Sequence, residues 1–132
     1  FYGFPNLEGR GFKVANDTHG PEMDPDNADR RAGAAGEEAA REFLARRFPS
    51  LAKAPLSETR VCQYENSSNG HLLIDRHPGL DNVWLVGCGS GHGFKHGPAV
   101  GSHVADLVMG KATPREPFLI ATKQRQQDRA VQ

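Results

Sequence analysis

The sequence has few features that would direct it to a membrane, a nucleic acid or a disulfide-rich fold. Its apolar runs, such as Val83 to Val86, are strand-sized and far below the ~20 residues needed to span a bilayer. Lys and Arg number 16, as do Asp and Glu, so no excess of positive charge exists for nucleic acid or an anionic membrane. The two cysteines, Cys62 and Cys88, are too few for a small secreted framework. We expect a soluble cytoplasmic protein with two reduced thiols, although one disulfide between them is compatible with the sequence.

Large apolar side chains are also scarce. Leu, Ile, Val and Phe together account for 27 of 132 residues, against 24 Gly and Pro residues. A chain with so few of them can bury only a thin core by itself. The sequence begins at Phe1, with no initiator Met and no signal-peptide pattern. We therefore expect a piece of a larger protein, with packing partners elsewhere in that protein.

The first half of the chain carries one strand pattern and one helix pattern. Alternation over 11–16 predicts a half-buried strand with Phe12 on the apolar face and Lys13 on the polar face. Residues 36–48 have apolar residues at helical spacing, acidic residues in the first turn and basic residues in the last, with Pro49 as a stop. This pattern predicts an amphipathic helix.

The second half carries three strand patterns and a second helix. Residues 59–64 and 71–75 are separated by a polar turn and predict a hairpin. Residues 83–87 form a continuous apolar run, which predicts a strand buried on both faces. A helix is expected from Pro98 to a C-terminal stop at Gly110.

A run of alternating glycines joins that strand to that helix. Because glycine has no side chain, the backbone there can approach a ligand closely. The start of the following helix supplies free amide groups for an anion or for the electron-rich edge of a ring. The spacing differs from the dinucleotide-binding fingerprint, since no Gly lies three residues after Gly89 or Gly91. A tight strand-to-helix turn with no ligand is the alternative interpretation.

Two lysines are candidate substrate or cofactor contacts. Lys95 lies in the glycine run between His92 and His96, where its ammonium group could hold a substrate carboxylate. Lys13 projects from the polar face of the first predicted strand. The alternative for each is a solvated surface lysine, which is the interpretation that patterning alone favours.

Metal and thiol chemistry are weaker alternatives. His92 and His96, with His103 and either Cys62 or Cys88, include residue types that bind zinc. The glycines between them disfavour a regular helix, and the sequence contains neither HExxH nor CxxC. A thiol nucleophile activated by a histidine is also conceivable, but a cysteine on a strand is more often inert.

Several motifs together resemble one enzyme family. They are YGFP (2–5), GFK (11–13), RVCQY (60–64), HLLIDRHP (71–78) and GSGHGFKHGP (89–98). In this order they resemble the C-terminal portion of the monomeric sarcosine oxidase family of FAD-dependent amine oxidases. That family also includes N-methyltryptophan oxidase and the fructosyl-amino-acid oxidases. The likeness extends over residues 1 to 110.

The resemblance implies a set of cofactor contacts. Cys62 matches the cysteine that forms a thioether with the flavin 8α-methyl group, so that FAD is covalently bound. The segment that would face the flavin pyrimidine edge consists of Gly91, His92, Gly93, Phe94 and Lys95. The helix that follows would favour the anionic reduced ring.

The resemblance also implies a reaction. Lys13 matches the lysine near flavin N5 where oxygen reacts, Lys95 matches the lysine that pairs with the substrate carboxylate, and Tyr2 would border the substrate pocket. The implied activity is oxidation of a secondary amine, such as an N-methyl or N-substituted amino acid, by oxygen with production of hydrogen peroxide. No metal, nucleic acid or membrane takes part.

The chain departs from the family pattern at several points. Asp17 stands where sarcosine oxidase has an active-site histidine, and its carboxylate would repel a carboxylate substrate. Glu65 and Asn69 replace the usual Thr and Asp in the turn beside the flavin. The N-terminal half of the family, with its dinucleotide-binding glycines, is missing, and the 132 residues alone are expected to be inactive.

The resemblance and the patterns together predict an α+β architecture. Residues 1–55 are assigned to part of the substrate domain, and residues 56–110 to the C-terminal strand and helix of an α/β FAD-binding domain. Residues 111–132 are expected to form a polar tail, with its last ten residues frayed. The alternative to an oxidase fragment is a non-catalytic remnant, or a split-subunit module, that docks on a partner chain.

Overall fold

The computed structural model describes residues 1–124, which form two compact units that divide after Cys62. Each unit contains one two-stranded antiparallel sheet and one α-helix, so the architecture is α+β. Within residues 1–124, no helix has the length and apolar character needed to cross a membrane.

The first unit begins with a short hairpin. Strand β1 (Tyr2–Phe4) pairs antiparallel with β2 (Lys13–Ala15), and the register places Phe4 opposite Lys13. The strand predicted over 11–16 is confirmed in its central three residues. Lys13 is exposed, as expected for the polar face.

Helix α1 (Ala34–Arg47) confirms the helix predicted over 36–48. Arg41 binds Glu37 one turn earlier at 2.9 Å, and its guanidinium also donates to the carbonyl oxygens of Ala52 and Ala54, each at 3.2 Å. These bonds fold the chain after the helix back along α1.

Stacked aromatic rings supply part of the packing of the first unit. The rings of Phe1 and Phe43 stack with centroids 4.5 Å apart, and those of Phe12 and Phe48 lie 5.1 Å apart. Aromatic pairs at such distances contribute about 0.5–1.5 kcal/mol beyond the area they bury.

The second unit is built on strands β3 (Leu73–Arg76) and β4 (Trp84–Gly87), which pair antiparallel. The guanidinium of Arg76 lies over the ring of its partner Trp84, 4.7 Å from the centroid. The connecting turn closes with a 2.9 Å bond from the His77 amide to the Val83 carbonyl.

The predicted hairpin of 59–64 with 71–75 is wrong. Residues 59–64 are not a strand, and β3 pairs with β4 instead. The backbone around 59–65 makes its hydrogen bonds to loops: the Val61 amide donates to the Arg30 carbonyl at 3.0 Å, and the Glu65 carbonyl accepts from Ser90 at 3.1 Å.

The prediction that 83–87 is buried on both faces is also wrong for the described chain. Val86 is 48% exposed, so the described residues do not fully cover both faces of the sheet at β4. The fully buried apolar side chains are Ile74 on β3 and Leu107 on the second helix, both in the second unit.

Helix α2 (Gly97–Val108) confirms the predicted second helix. Pro98 occupies its first turn, where a missing amide hydrogen costs nothing. The helix ends before Gly110, which adopts the left-handed conformation (φ 71°) that permits a C-terminal stop.

The described part of the expected tail is folded. Residues 114–124 include two 3₁₀ helices, Glu116–Phe118 and Ile120–Gln124, and Thr122 is buried. Fraying was expected from residue 123, but Lys123 is hydrogen-bonded to the turn before β3. The rest of that prediction concerns 125–132, which lie outside the described residues.

Candidate functional site

The second unit contains an open cleft of about 330 Å³ between two backbone segments. One wall is residues 63–65, here called the strip. The other is residues 88–94, here called the glycine loop, which follows β4. The lining residues are Gln63, Tyr64, Glu65, Gly89, Ser90, Gly91, Gly93 and Phe94.

The glycine loop takes an unusual backbone path from β4 to the helices. Cys88, Ser90 and Gly91 all have positive φ angles, of 57°, 48° and 79°. A left-handed conformation costs a non-glycine residue about 1–2 kcal/mol. The loop then enters a 3₁₀ helix, Gly93–His96, that continues directly into α2.

Gly91 allows the two walls of the cleft to meet. A Cβ at this position would lie 2.7 Å from the ring of Tyr64, closer than atoms can pack. The Tyr64 ring therefore lies on the bare backbone of the loop. This contact makes glycine at position 91 a structural requirement of the cleft.

Hydrogen bonds hold the strip to the glycine loop. The Cys88 amide donates to the carboxylate Oε2 of Glu65 at 2.9 Å, and the Ser90 amide donates to the Glu65 carbonyl at 3.1 Å. The Ser67 amide, just beyond the strip, reaches Ser90 Oγ at 3.4 Å. Ser90 is 2% exposed, so its own side chain is shielded from water, whereas the bond from Cys88 to Glu65 lies at the surface.

Both cysteines are free thiols. Cys62 is exposed and directly precedes the strip in the chain. Cys88 is partly buried in the glycine loop, and burial raises the pKa of its thiol, with the negative charge of Glu65 as a second cause. The nearby positive charge of Lys123 lowers the pKa of Cys88 and so offsets part of this rise.

The raised pKa of Cys88 predicts a loss of stability at alkaline pH. The unfolded chain loses this proton at a lower pH than the folded chain does, so the free energy of unfolding falls once the pH exceeds the ordinary thiol pKa. Cys88→Ser, which cannot ionise, should remove this part of the decline. The difference should stay below about 1 kcal/mol because Cys88 is only partly buried and solvent screens its charge.

Urea unfolding at about pH 7.5 and about pH 9.5 measures how far the free energy of unfolding falls between the two pH values. Leu80→Ala, at an exposed position outside the cleft lining, is the control, since it retains Cys88 and should keep the wild-type decline. If the free energy of unfolding of Cys88→Ser fell as much as that of the wild type, the loss of stability could not be assigned to ionisation of Cys88.

Among the predicted residues around Lys95, His92 and Gly93 are partly buried, whereas Phe94 and Lys95 are exposed. Lys95 and Phe94 both lie on the 3₁₀ helix Gly93–His96 with exposed side chains, and Phe94 lines the cleft whereas Lys95 does not. His92 contacts the Ser90 carbonyl through Nδ1 at 3.1 Å, and its ring meets His96 edge-on at 6.0 Å. Within residues 1–124, no group of three or more His, Cys, Asp or Glu side chains is placed to hold a metal.

Tyr2 and Lys13 come together in the first unit. The Lys13 ammonium lies 5.1 Å from the centroid of the Tyr2 ring and 5.6 Å from that of Phe4. Two aromatic faces thus hold an exposed cation in place, an arrangement worth about 0.5–1 kcal/mol at the surface. The β1–β2 register makes this contact, because Lys13 lies directly opposite Phe4.

Sequence reasoning missed four lining residues: Gln63, Tyr64, Glu65 and Ser90. Tyr64 belongs to the RVCQY motif (60–64). Its position two residues after Cys62 is the feature of the sequence that could have identified it as a site residue. Glu65 differs from the residue that is usual in the family at this turn, and the sequence gives no further indication that it lines a cleft. Ser90 could not be singled out, because nothing in a glycine-rich run marks which residue will be buried.

Comparison with known proteins places the chain in a family. The family of FAD dependent oxidoreductases named DAO matches residues 1–107. The chain therefore belongs to this family of FAD-dependent oxidoreductases.

Two curated proteins that are similar to this chain are named sarcosine oxidases. The monomeric sarcosine oxidase of a Bacillus species is 38% identical over 110 residues, which cover 82% of this chain and 28% of that protein. The human peroxisomal sarcosine oxidase is 34% identical over 127 residues, covering 91% of this chain and 32% of that protein. The chain thus spans less than a third of the length of these relatives.

A solved structure supports the same relationship. The fructosyl amine:oxygen oxidoreductase Amadoriase I of Aspergillus fumigatus aligns with a TM-score of 0.63 and 28% identity. The alignment covers 74% of this chain and 25% of that structure.

Proposed function

We propose that this chain is the C-terminal portion of a longer FAD-dependent amine oxidase. The enzyme would oxidise a secondary amine, an N-methyl or otherwise N-substituted amino acid, with oxygen and release hydrogen peroxide. The observation that carries this proposal is the family match over residues 1–107, which includes both walls of the cleft. Relatives named sarcosine oxidase, N-methyl-L-tryptophan oxidase and L-saccharopine oxidase support the substrate class.

The cleft residues fit a flat aromatic cofactor. The glycine loop lines the cleft with Gly89, Gly91 and Gly93, so few side chains separate a ring edge from its peptide groups, and the Tyr64 ring packs on Gly91. The cleft volume is at the lower end of the roughly 300–1,000 Å³ typical of small-molecule sites. We assign Gly91, His92, Gly93, Phe94 and Lys95 to the edge of the flavin.

Cys62 is the proposed point of covalent attachment. Its thiol is free and exposed, and it is one residue from the strip that lines the cleft. A thiol can form a stable thioether with the 8α-methyl carbon of FAD: one S–H and one C–H hydrogen are lost, and oxygen, the oxidant of the proposed reaction, takes up the two electrons and two protons. Attachment here would tether the cofactor to the chain directly before the strip.

The bound flavin supplies an acceptor for the hydride equivalent that leaves the carbon next to the amine nitrogen. The protein side chains supply charge and orientation. Lys95, exposed beside the cleft residue Phe94, would pair with a substrate carboxylate. Lys13, fixed on the rings of Tyr2 and Phe4, would favour negative charge developing on oxygen. Tyr2 would border the substrate.

The longer protein would also complete the packing. Residues 1–55 would belong to the substrate domain and 56–110 to the FAD-binding domain. Val86 on β4 and Val108 on α2 are exposed in the described chain, although both strand and helix are strongly apolar. The missing N-terminal portion, with the dinucleotide-binding segment, would cover these side chains.

Intact mass and visible absorbance of the denatured product of the native gene test the proposal. We expect a polypeptide longer than 132 residues with flavin still attached and mapping to Cys62. Cys62→Ser should lose essentially all of the covalent flavin, because serine cannot form the thioether, whereas the matched control Cys88→Ser should retain it.

A native product of 132 residues without flavin would refute the oxidase assignment and favour a module that docks on a partner chain. Flavin that binds but is released on denaturation would refute attachment at Cys62 only.

A further inference from the structure

Lys123 lies outside the segment matched to the family, yet it is bound tightly in the second unit. Its ammonium donates to the carbonyl oxygens of Leu72 at 2.8 Å and His71 at 3.1 Å, and to Asn69 Oδ1 at 2.9 Å. The Pro117 carbonyl is a fourth neighbour at 3.3 Å. An ammonium has three N–H donors, so these acceptors satisfy it fully. Charge-assisted bonds of this kind are about twice as strong as neutral ones.

Asn69 connects Lys123 to the polar turn. Its amide Nδ2 donates to Thr122 Oγ1 at 3.1 Å and to the Thr122 carbonyl at 3.3 Å. Its Oδ1 accepts from Lys123 and lies 3.1 Å from Ser67 Oγ. Both ends of the amide are therefore engaged between the C-terminal segment and the turn.

Ser67 continues the network to the cleft. Its Oγ donates to the His71 carbonyl at 2.6 Å, and its amide reaches Ser90 Oγ at 3.4 Å. Ser90 is buried in the glycine loop, where its amide binds the Glu65 carbonyl on the opposite wall. An unbroken chain of hydrogen bonds thus joins Lys123 to both walls of the cleft.

We propose that Lys123 is a positioning residue for the cleft. It fixes the turn at 66–71, and through Asn69, Ser67 and Ser90 it sets the distance between the glycine loop and the strip. The catalytic meaning of this role rests on the proposed function, whereas the positioning itself rests on the contacts alone.

Hydrogen exchange in the full native protein tests the positioning. Lys123→Met removes the charge and all donors but keeps the length of the side chain. Amides of the glycine loop (88–94) should then exchange about tenfold faster or more, because a charged hydrogen-bond hub has been lost. Lys123→Arg should restore most of the protection. Lys111→Met, which changes an exposed lysine, is the matched control and should have no effect.

A second readout separates positioning from simple loss of stability. In the flavin-containing protein, Lys123→Met should change the visible absorbance of the bound flavin, and Lys123→Arg should reverse the change. If Lys123→Met does not fold, Lys123→Gln keeps two donors without the charge and should give an intermediate rate of exchange at 88–94.

Faster exchange confined to 114–124, with the glycine loop unchanged, would overturn the proposal. Ser90→Ala removes the hydroxyl that links Ser67 to the glycine loop. In that background, Lys123→Met should therefore raise the exchange rates at 88–94 only slightly. If the effects of the two substitutions on these rates were fully additive, the proposal would also be overturned. A wild-type protein without flavin would refute the proposed function, but the exchange rates would still decide the role of Lys123.

Discussion

Gly91→Ala should destabilise the second unit by about 3 kcal/mol, from a strained backbone and from overpacking. The φ angle of 79° disfavours any side chain, and the new Cβ would lie 2.7 Å from the Tyr64 ring. Tyr64 forms one wall of the cleft, so its displacement would also separate the strip from the glycine loop. We therefore expect loss of bound flavin together with the loss of stability.

Urea unfolding and flavin content of the native protein measure both effects. Gly97→Ala is the matched control, because Gly97 has a helical backbone conformation and no atom within 4 Å of an added Cβ. It should be neutral or stabilising by up to about 1 kcal/mol. If Gly91→Ala proved as stable as Gly97→Ala, the contact between Tyr64 and the loop would not be a feature of the folded protein.

Leu107→Ala should cost about 2–5 kcal/mol, the range for truncating a fully buried leucine. Leu107 is 1% exposed and is one of the few apolar side chains completely buried in the described chain. Because the core is thin, the cavity cannot be filled by many neighbours. Total stabilities of about 5–15 kcal/mol are usual, so this loss is a large fraction of the whole.

Leu80→Ala provides the comparison for this core substitution. Leu80 is 57% exposed in the turn between β3 and β4, and the same truncation there should change stability by no more than about 0.5 kcal/mol. Thermal or urea unfolding of the two variants measures the difference. Equal losses at both positions would show that Leu107 is not the centre of the core.

Local patterns were sufficient for the helices. The pattern that predicts α1 is local: an acidic first turn, apolar residues at helical spacing, a basic last turn and Pro49 after the end. The observed helix has nearly the predicted bounds. In α2, Pro98 and Gly110 mark the two ends in the same way. The structure agrees at both helices because their hydrogen bonds are made within the segment itself.

Strand partners were not available from local patterns. Residues 59–64 have the composition of a strand, but an extended segment must find its hydrogen bonds elsewhere in the chain. Here Val61 bonds to Arg30, and Glu65 bonds to the glycine loop. The same limit explains Val86, whose exposure depends on what lies across the sheet rather than on its own apolar run.

The sequence by itself determined the two helices, the position of the glycine run after a strand, and, through its motifs, the family of FAD-dependent oxidoreductases. The tertiary structure decided that β3 pairs with β4, that Tyr64 and Glu65 form a wall of the cleft, and that Lys123 joins the network behind it. The physical reason is the range of the interactions. Helix termini and glycine turns are encoded by neighbouring residues, whereas a sheet, a cleft and a hydrogen-bonded ammonium are made by residues that meet only when the chain folds.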